Sequence, residues 1–117
     1  MTIANETDVL AFLAEFKKLI YSRRFILIGN REINSDTLII LGITESQRHD
    51  YIANLTKSDY CEGPNPDDTG DGDVWIFGKE ISSKEIYIKL KIKLQPDGKQ
   101  ALCISFHIAK WPLNYKF

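Results

Sequence analysis

Trp75, Phe77, Lys79, Tyr87, Lys89, Lys91, Ser105 and His107 fall at alternate positions in three consecutive β-patterned runs between residues 74 and 108. Successive side chains of a strand point to opposite faces, so alternate residues share one face. Rings, amines, a phenol and an imidazole on one surface suit phosphate and base. RNA cleavage through its own 2′-hydroxyl needs a base for that hydroxyl, an acid for the leaving oxygen and cations for the phosphorane charge. Histidine, tyrosine and lysine can cover all three, so no metal or other cofactor is called for. Tyr87 and His107 are expected to share the acid–base work, and Lys79 and Lys89 to stabilise phosphate charge. Lys91, Lys93 and Ser105 would extend the RNA-binding track. Trp75 and Phe77 would stack bases, a contact worth ~1–3 kcal/mol per base where the ring is open.

The spacing can be checked residue by residue. From Glu85 to Leu94 the even positions are Ile86, Ile88, Leu90, Ile92 and Leu94, and the odd ones Glu85, Tyr87, Lys89, Lys91 and Lys93. Such alternation predicts an antiparallel strand with one buried and one wet face. The next run places Leu102, Ile104, Phe106 and Ile108 inward and Cys103, Ser105 and His107 outward. In the run before, Val74 and Ile76 are read as inward and Trp75, Phe77 and Lys79 as outward. Gln95-Pro96-Asp97-Gly98-Lys99 has hairpin chemistry, since proline sets φ and glycine accepts a positive φ. A hairpin centred on Asp97 sets Tyr87 opposite His107 and Lys89 opposite Ser105. An odd loop centred near Ser83 sets Lys79 opposite Tyr87 and Phe77 opposite Lys89. Opposed Cβ atoms lie roughly 4.5–5.5 Å apart, so Lys79, Tyr87 and His107 would form one row across three strands. A one-residue slip would break it.

The elements that hold this sheet are legible upstream. Residues 6 to 22 form an amphipathic helix, with Val9, Phe12, Leu13, Phe16, Leu19 and Ile20 on one stripe and Asn5 as its cap. Residues 24 to 28 read as a short strand or the frayed end of that helix. The state of 37 to 41 is open. Thr44-x-x-Gln47 fits a capping box and opens a helix to about Leu55, with His49 on its exposed side. Residues 58 to 73, rich in Gly, Pro and Asp, read as a long loop. Helices first and a meander of strands afterwards define one α+β domain over 1–117, with N-terminal helices packed on one face of a C-terminal antiparallel β-sheet.

Charge is uneven in a chain whose formal total is −1. Asp59, Glu62, Asp67, Asp68, Asp71 and Asp73 stand together without a basic residue. Eight lysines follow (79, 84, 89, 91, 93, 99, 110 and 116) against Glu80, Glu85 and Asp97. Lysines 89, 91 and 93 repel one another, and a polyanion would relieve that repulsion and release counterions. The plainer account is a solvated strand face. Asp67 to Asp73 begins like a calcium loop, but Gly78 stands where a bidentate glutamate is needed and no helix follows, so a tight polar turn fits better. Cys61 and Cys103 make neither a disulfide framework nor a metal site and read as free thiols in a reducing cytoplasm. No apolar run of transmembrane length or signal-peptide layout is present, and no membrane partner is expected. A non-catalytic RNA- or protein-binding adaptor using the same face is the alternative to a nuclease.

Asp59-Tyr60, Gly63-Pro64, the run Asp73 to Lys79, Glu85-Ile86-Tyr87-Ile88-Lys89-Leu90 and Cys103-Ile104-Ser105-Phe106-His107 resemble the MqsR-type toxins of bacterial type II toxin–antitoxin pairs. The resemblance runs from Thr44 to Phe117. It implies a RelE-like fold and a metal-independent endoribonuclease (an mRNA interferase) that cuts messenger RNA in the cytoplasm. It also implies a neutralising antitoxin protein with a DNA-binding region. Tyr87 matches the strand tyrosine important for activity in such toxins. Asp50 and Ile76 stand near the places of their helix lysine and strand glutamine, and Ser83 replaces a frequent hairpin glycine. Lys79 or His107 would then take over part of that work.

Overall fold

Three helices precede most of a five-stranded sheet in a computed structural model that describes residues 2–29 and 31–117. Helix α1 spans Glu6–Tyr21, and the Asn5 side chain accepts a hydrogen bond from the Asp8 amide at 2.8 Å. Its apolar stripe buries Val9, Phe12, Leu13, Phe16 and Ile20. Strand β1 is short, Phe25–Leu27. Helix α2 spans Arg31–Leu41 and so includes 37–41. Gly42, at φ +69°, ends it, with Ile43 N–H bonding the Leu38 carbonyl and Gly42 N–H that of Ile39. This is the paired C-terminal closure that a left-handed residue permits. Helix α3 spans Glu45–Ala53 and opens on the expected Thr44–Gln47 capping box. No helix among the described residues is long and apolar enough to cross a membrane.

The remaining strands are β2 (Tyr60–Pro66), β3 (Asp73–Ile81), β4 (Lys84–Gln95) and β5 (Gly98–Ile108). Their order is β1-β5-β4-β3-β2, antiparallel throughout except for the parallel β1–β5 pair, so the α+β sheet is mixed. The core lies between one face of this sheet and the helices, where α1 meets Phe77, Ile88, Leu90 and Phe106. The segment expected as a loop at 58–73 thus contains β2. Its Gly and Pro residues are compatible with a strand because β2 is an edge, where missing ladder donors and bulges cost little. At Gly63, φ is +118°, and a Cβ would lie 2.8 Å from the Val74 carbonyl oxygen.

The β3–β4 hairpin departs from the expected register. Ser82 and Ser83, both at positive φ, form a two-residue turn closed by Ile81 opposite Lys84. Gly78 therefore faces Tyr87, while Lys79 faces Ile86 and Phe77 faces Ile88. This one-residue offset turns Trp75, Phe77 and Lys79 to the helix side and Val74 and Ile76 to the opposite side. Packing explains the choice. Phe12 of α1 stacks on Trp75 with centroids 4.4 Å apart and lies 6.1 Å from Phe77, which is completely buried. Val74 and Ile76 are buried too, so both faces of β3 are apolar.

The β4–β5 ladder reaches the expected pairs by a different route. Its turn closes at Gln95 opposite Gly98, and Leu90 pairs with Cys103. A bulge at Ile104 then shifts the register, so Lys89 faces Ser105 and Tyr87 faces His107. Inward and outward swap across that bulge. Cys103 packs in the core with Ala101 and Phe106, whereas Leu102, expected inward, lies opposite Lys91 on the other face.

Candidate functional site

The sheet face turned away from the helices carries the candidate site. Tyr87 and His107 stack there with centroids 5.2 Å apart and planes 15° apart. The neighbouring row runs across four strands as Glu62, Ile76, Lys89 and Ser105. Gly78 occupies the position beside Tyr87. A Cβ at Gly78 would lie 2.5 Å from Leu113 Cδ1 and 2.7 Å from the Tyr115 hydroxyl, so glycine is what lets residues 109–117 cross the sheet here. Glu85 anchors that crossing, accepting from the Leu113 amide at 2.7 Å and from the Tyr115 hydroxyl at 3.2 Å. Beyond it, Lys116 N–H bonds the Tyr60 carbonyl, and the Phe117 ring stacks near that of Tyr60. Between this tail and the sheet lies a cleft of about 200 Å³, lined by Glu62, Ile76, Tyr87, Trp111, Leu113 and neighbours.

Protonation follows from the surroundings. Burial, and then the charge of Glu62, raise the pKa of Tyr87, so its phenol keeps its proton at neutral pH. Among the described residues, no hydrogen bond occupies the Tyr87 hydroxyl and no buried side-chain polar atom lacks a partner, so that hydroxyl reaches solvent. His107 Nδ1 lies 3.0 Å from the Ile108 carbonyl oxygen. A carbonyl can only accept, so Nδ1 is the donor of this contact, and in the neutral ring the lone pair lies on Nε2. Burial pushes the Cys61 and Cys103 thiols up to about 12, which makes both poor nucleophiles near neutrality. Both are buried and free.

The lysines divide. Among the described residues, no acidic side chain pairs with Lys89. Lys91 is instead held by Asp67, the two side chains being 5% and 11% exposed, and Lys93 lies 3.8 Å from Asp71. The β2–β3 loop thus folds back over β4 and occupies the far end of the expected track. Asp67 also caps a tight turn, accepting from Thr69 N–H at its side chain and Gly70 N–H at its carbonyl. Lys79 lies on the other side of the sheet, 3.4 Å from Asp59, in a hollow shared with Gln47, Asp50 and Tyr51 of α3.

The structure therefore brings together Tyr87, His107, Lys89 and Ser105 of the expected set. It separates Lys79, buries Phe77, partly buries Trp75 against Phe12, and ties up Lys91. The tail crosses the sheet over Gly78 and beside Tyr87. Glu62 and Trp111 were not anticipated. Glu62 sits in a segment with loop-like composition, and only its alternation with Tyr60, within an edge strand, could have flagged it. Among the described residues, no group of three or more His, Cys, Asp or Glu is arranged to hold a metal ion. Compared with protein-family models, curated proteins and solved structures, the chain matches none.

Proposed function

We propose that this chain is a metal-independent endoribonuclease of the MqsR toxin type, acting on messenger RNA in the cytoplasm and neutralised by an antitoxin protein with a DNA-binding region. The supporting observation is the Tyr87–His107 stack with Lys89 and Ser105 in the adjoining opposed pair. His107 Nε2 takes the proton of a ribose 2′-hydroxyl, and the oxygen attacks the adjacent phosphorus. Lys89 offsets the charge that develops on the phosphorane oxygens. Tyr87 gives its proton to the departing 5′-oxygen. The products are a 2′,3′-cyclic phosphate and a free 5′-hydroxyl. Lys79 takes no part, and base stacking falls to groups other than Phe77.

Labelled RNA incubated with the purified protein, with and without chelator, tests this reading. Cyclic phosphate ends are expected in both, and Tyr87→Phe and His107→Ala are expected to abolish them and the growth arrest caused by expression. Intact RNA, or undiminished cleavage by both variants, overturns it.

One observation favours the alternative of a non-catalytic adaptor. Asp67 and Asp71 already match two strand lysines, which leaves less free positive charge for a polyanion. That reading expects binding by the same face, no cleavage and no growth defect.

A further inference from the structure

The cleft beside Tyr87 has its own chemistry. At about 200 Å³ it is smaller than the roughly 300–1,000 Å³ of pockets for drug-sized ligands, so it suits one flat ring system. Ile76, Tyr87 and Leu113 make its apolar walls, and Lys110 and Lys116 contribute cations at its side. Trp111 stands at its margin 78% exposed, a large ring kept out of the core and open for stacking. Glu62 is the acid in this lining, and an ionised carboxylate can only accept hydrogen bonds. One Glu62 oxygen receives Asn65 Nδ2 at 3.3 Å, which leaves further acceptor capacity.

We infer that this cleft is a nucleobase subsite in which Trp111 stacks the base and Glu62 selects one bearing an exocyclic amino group over uracil. The inference rests on the RNA reading above and adds a residue-level choice of base. Adenine, cytosine and guanine each present N–H₂ to an acceptor. Uracil flanks its single N–H with two carbonyl oxygens, which a carboxylate repels. Single-stranded RNA is commonly read this way, by stacking an unpaired base and bonding its Watson–Crick edge.

Titrating the full chain with the four ribonucleoside 3′-monophosphates, followed by tryptophan fluorescence, tests the subsite. Quenching is expected at roughly 10-fold lower concentration for the amino-bearing nucleotides than for the uridine nucleotide, within the usual discrimination of one good base contact. Glu62→Gln, whose amide both donates and accepts, should strengthen uridine binding and weaken the others. Trp111→Phe should remove the quench, since Trp75 is packed against Phe12. Equal binding of the uridine nucleotide, an unchanged ratio in Glu62→Gln, or a quench that survives in Trp111→Phe overturns the proposal. RNA cleavage without base preference would sink the subsite and spare the nuclease. Selective nucleotide binding with intact RNA would do the reverse.

Discussion

Gly78, rather than Lys79, lies opposite Tyr87 across the β3–β4 hairpin. That relationship puts the Lys79 ammonium on the helix side, beside Asp59, and leaves Lys89, in the opposed pair adjoining the Tyr87–His107 stack, without an acidic partner among the described residues. The groups of the proposed site come from two strands and a crossing tail, where the residue pattern pointed to three strands.

The two lysines should therefore behave oppositely. Lys79→Ala leaves RNA cleavage at the wild-type rate, while Lys89→Ala lowers it by about 10²–10³-fold, the usual cost of one lost transition-state charge contact. Single-turnover rates on a labelled RNA measure both. Equal losses would place Lys79 back in the reaction.

Phe77 belongs to the core and not to a base platform. Phe77→Ala should cost about 3–5 kcal/mol in urea unfolding, the range for emptying a buried aromatic site. An unchanged midpoint would show the ring to be dispensable for packing.

The Asp67–Lys91 pair adds a pH dependence to stability. The hydrogen bond from Lys91 holds the Asp67 carboxyl below its ordinary pKa. A group whose folded pKa is depressed contributes stability that is complete above its unfolded value, roughly 3.9, and lost as pH falls through the folded value. Asp67→Asn should destabilise the chain by about 1.5–3 kcal/mol at neutral pH, the range for a hydrogen bond to a charged group. The gap from wild type should close in acid, as read from unfolding curves between neutrality and pH 2.

In the proposed reaction, Tyr87 sets the alkaline side. Its phenol, raised by burial and by Glu62, must stay protonated to serve the leaving oxygen. Cleavage should therefore hold up to and beyond the ordinary tyrosine value of about 10 before it declines. A fall beginning near pH 8 in a rate profile would assign the acid to another group.

Much of this arrangement can be read in the residues, for reasons that also mark where reading stops. The α1 stripe, the Thr44–Gln47 box and the isoleucine–lysine alternation of β4 each repeat one period with contrasting polarity. β3 lacks that contrast. Val74 and Ile76 are as apolar as Trp75 and Phe77, so only turn length decides which pair meets the helices. That length rested on two serines at positive φ, where glycine or asparagine would have signalled a tight turn. The Tyr87–His107 opposition follows from the assumed centre at Asp97, yet it is produced by a shorter turn plus a bulge at Ile104. Bulges leave little trace in composition. Glu62 was hidden because edge strands accept the prolines and glycines that normally denote loops.

The acidic loop over Lys91 and Lys93 has a consequence for how salt would govern binding. Single-stranded nucleic acid releases about 0.7 counterion for each phosphate a protein neutralises. With those two cations already matched internally, this face offers a phosphodiester chain Lys89 on the sheet and Lys110 and Lys116 at the cleft beside Tyr87. Affinity should then decline moderately as ionic strength rises, with a logarithmic slope of about two, and recognition would depend on rings and edges as well as on charge.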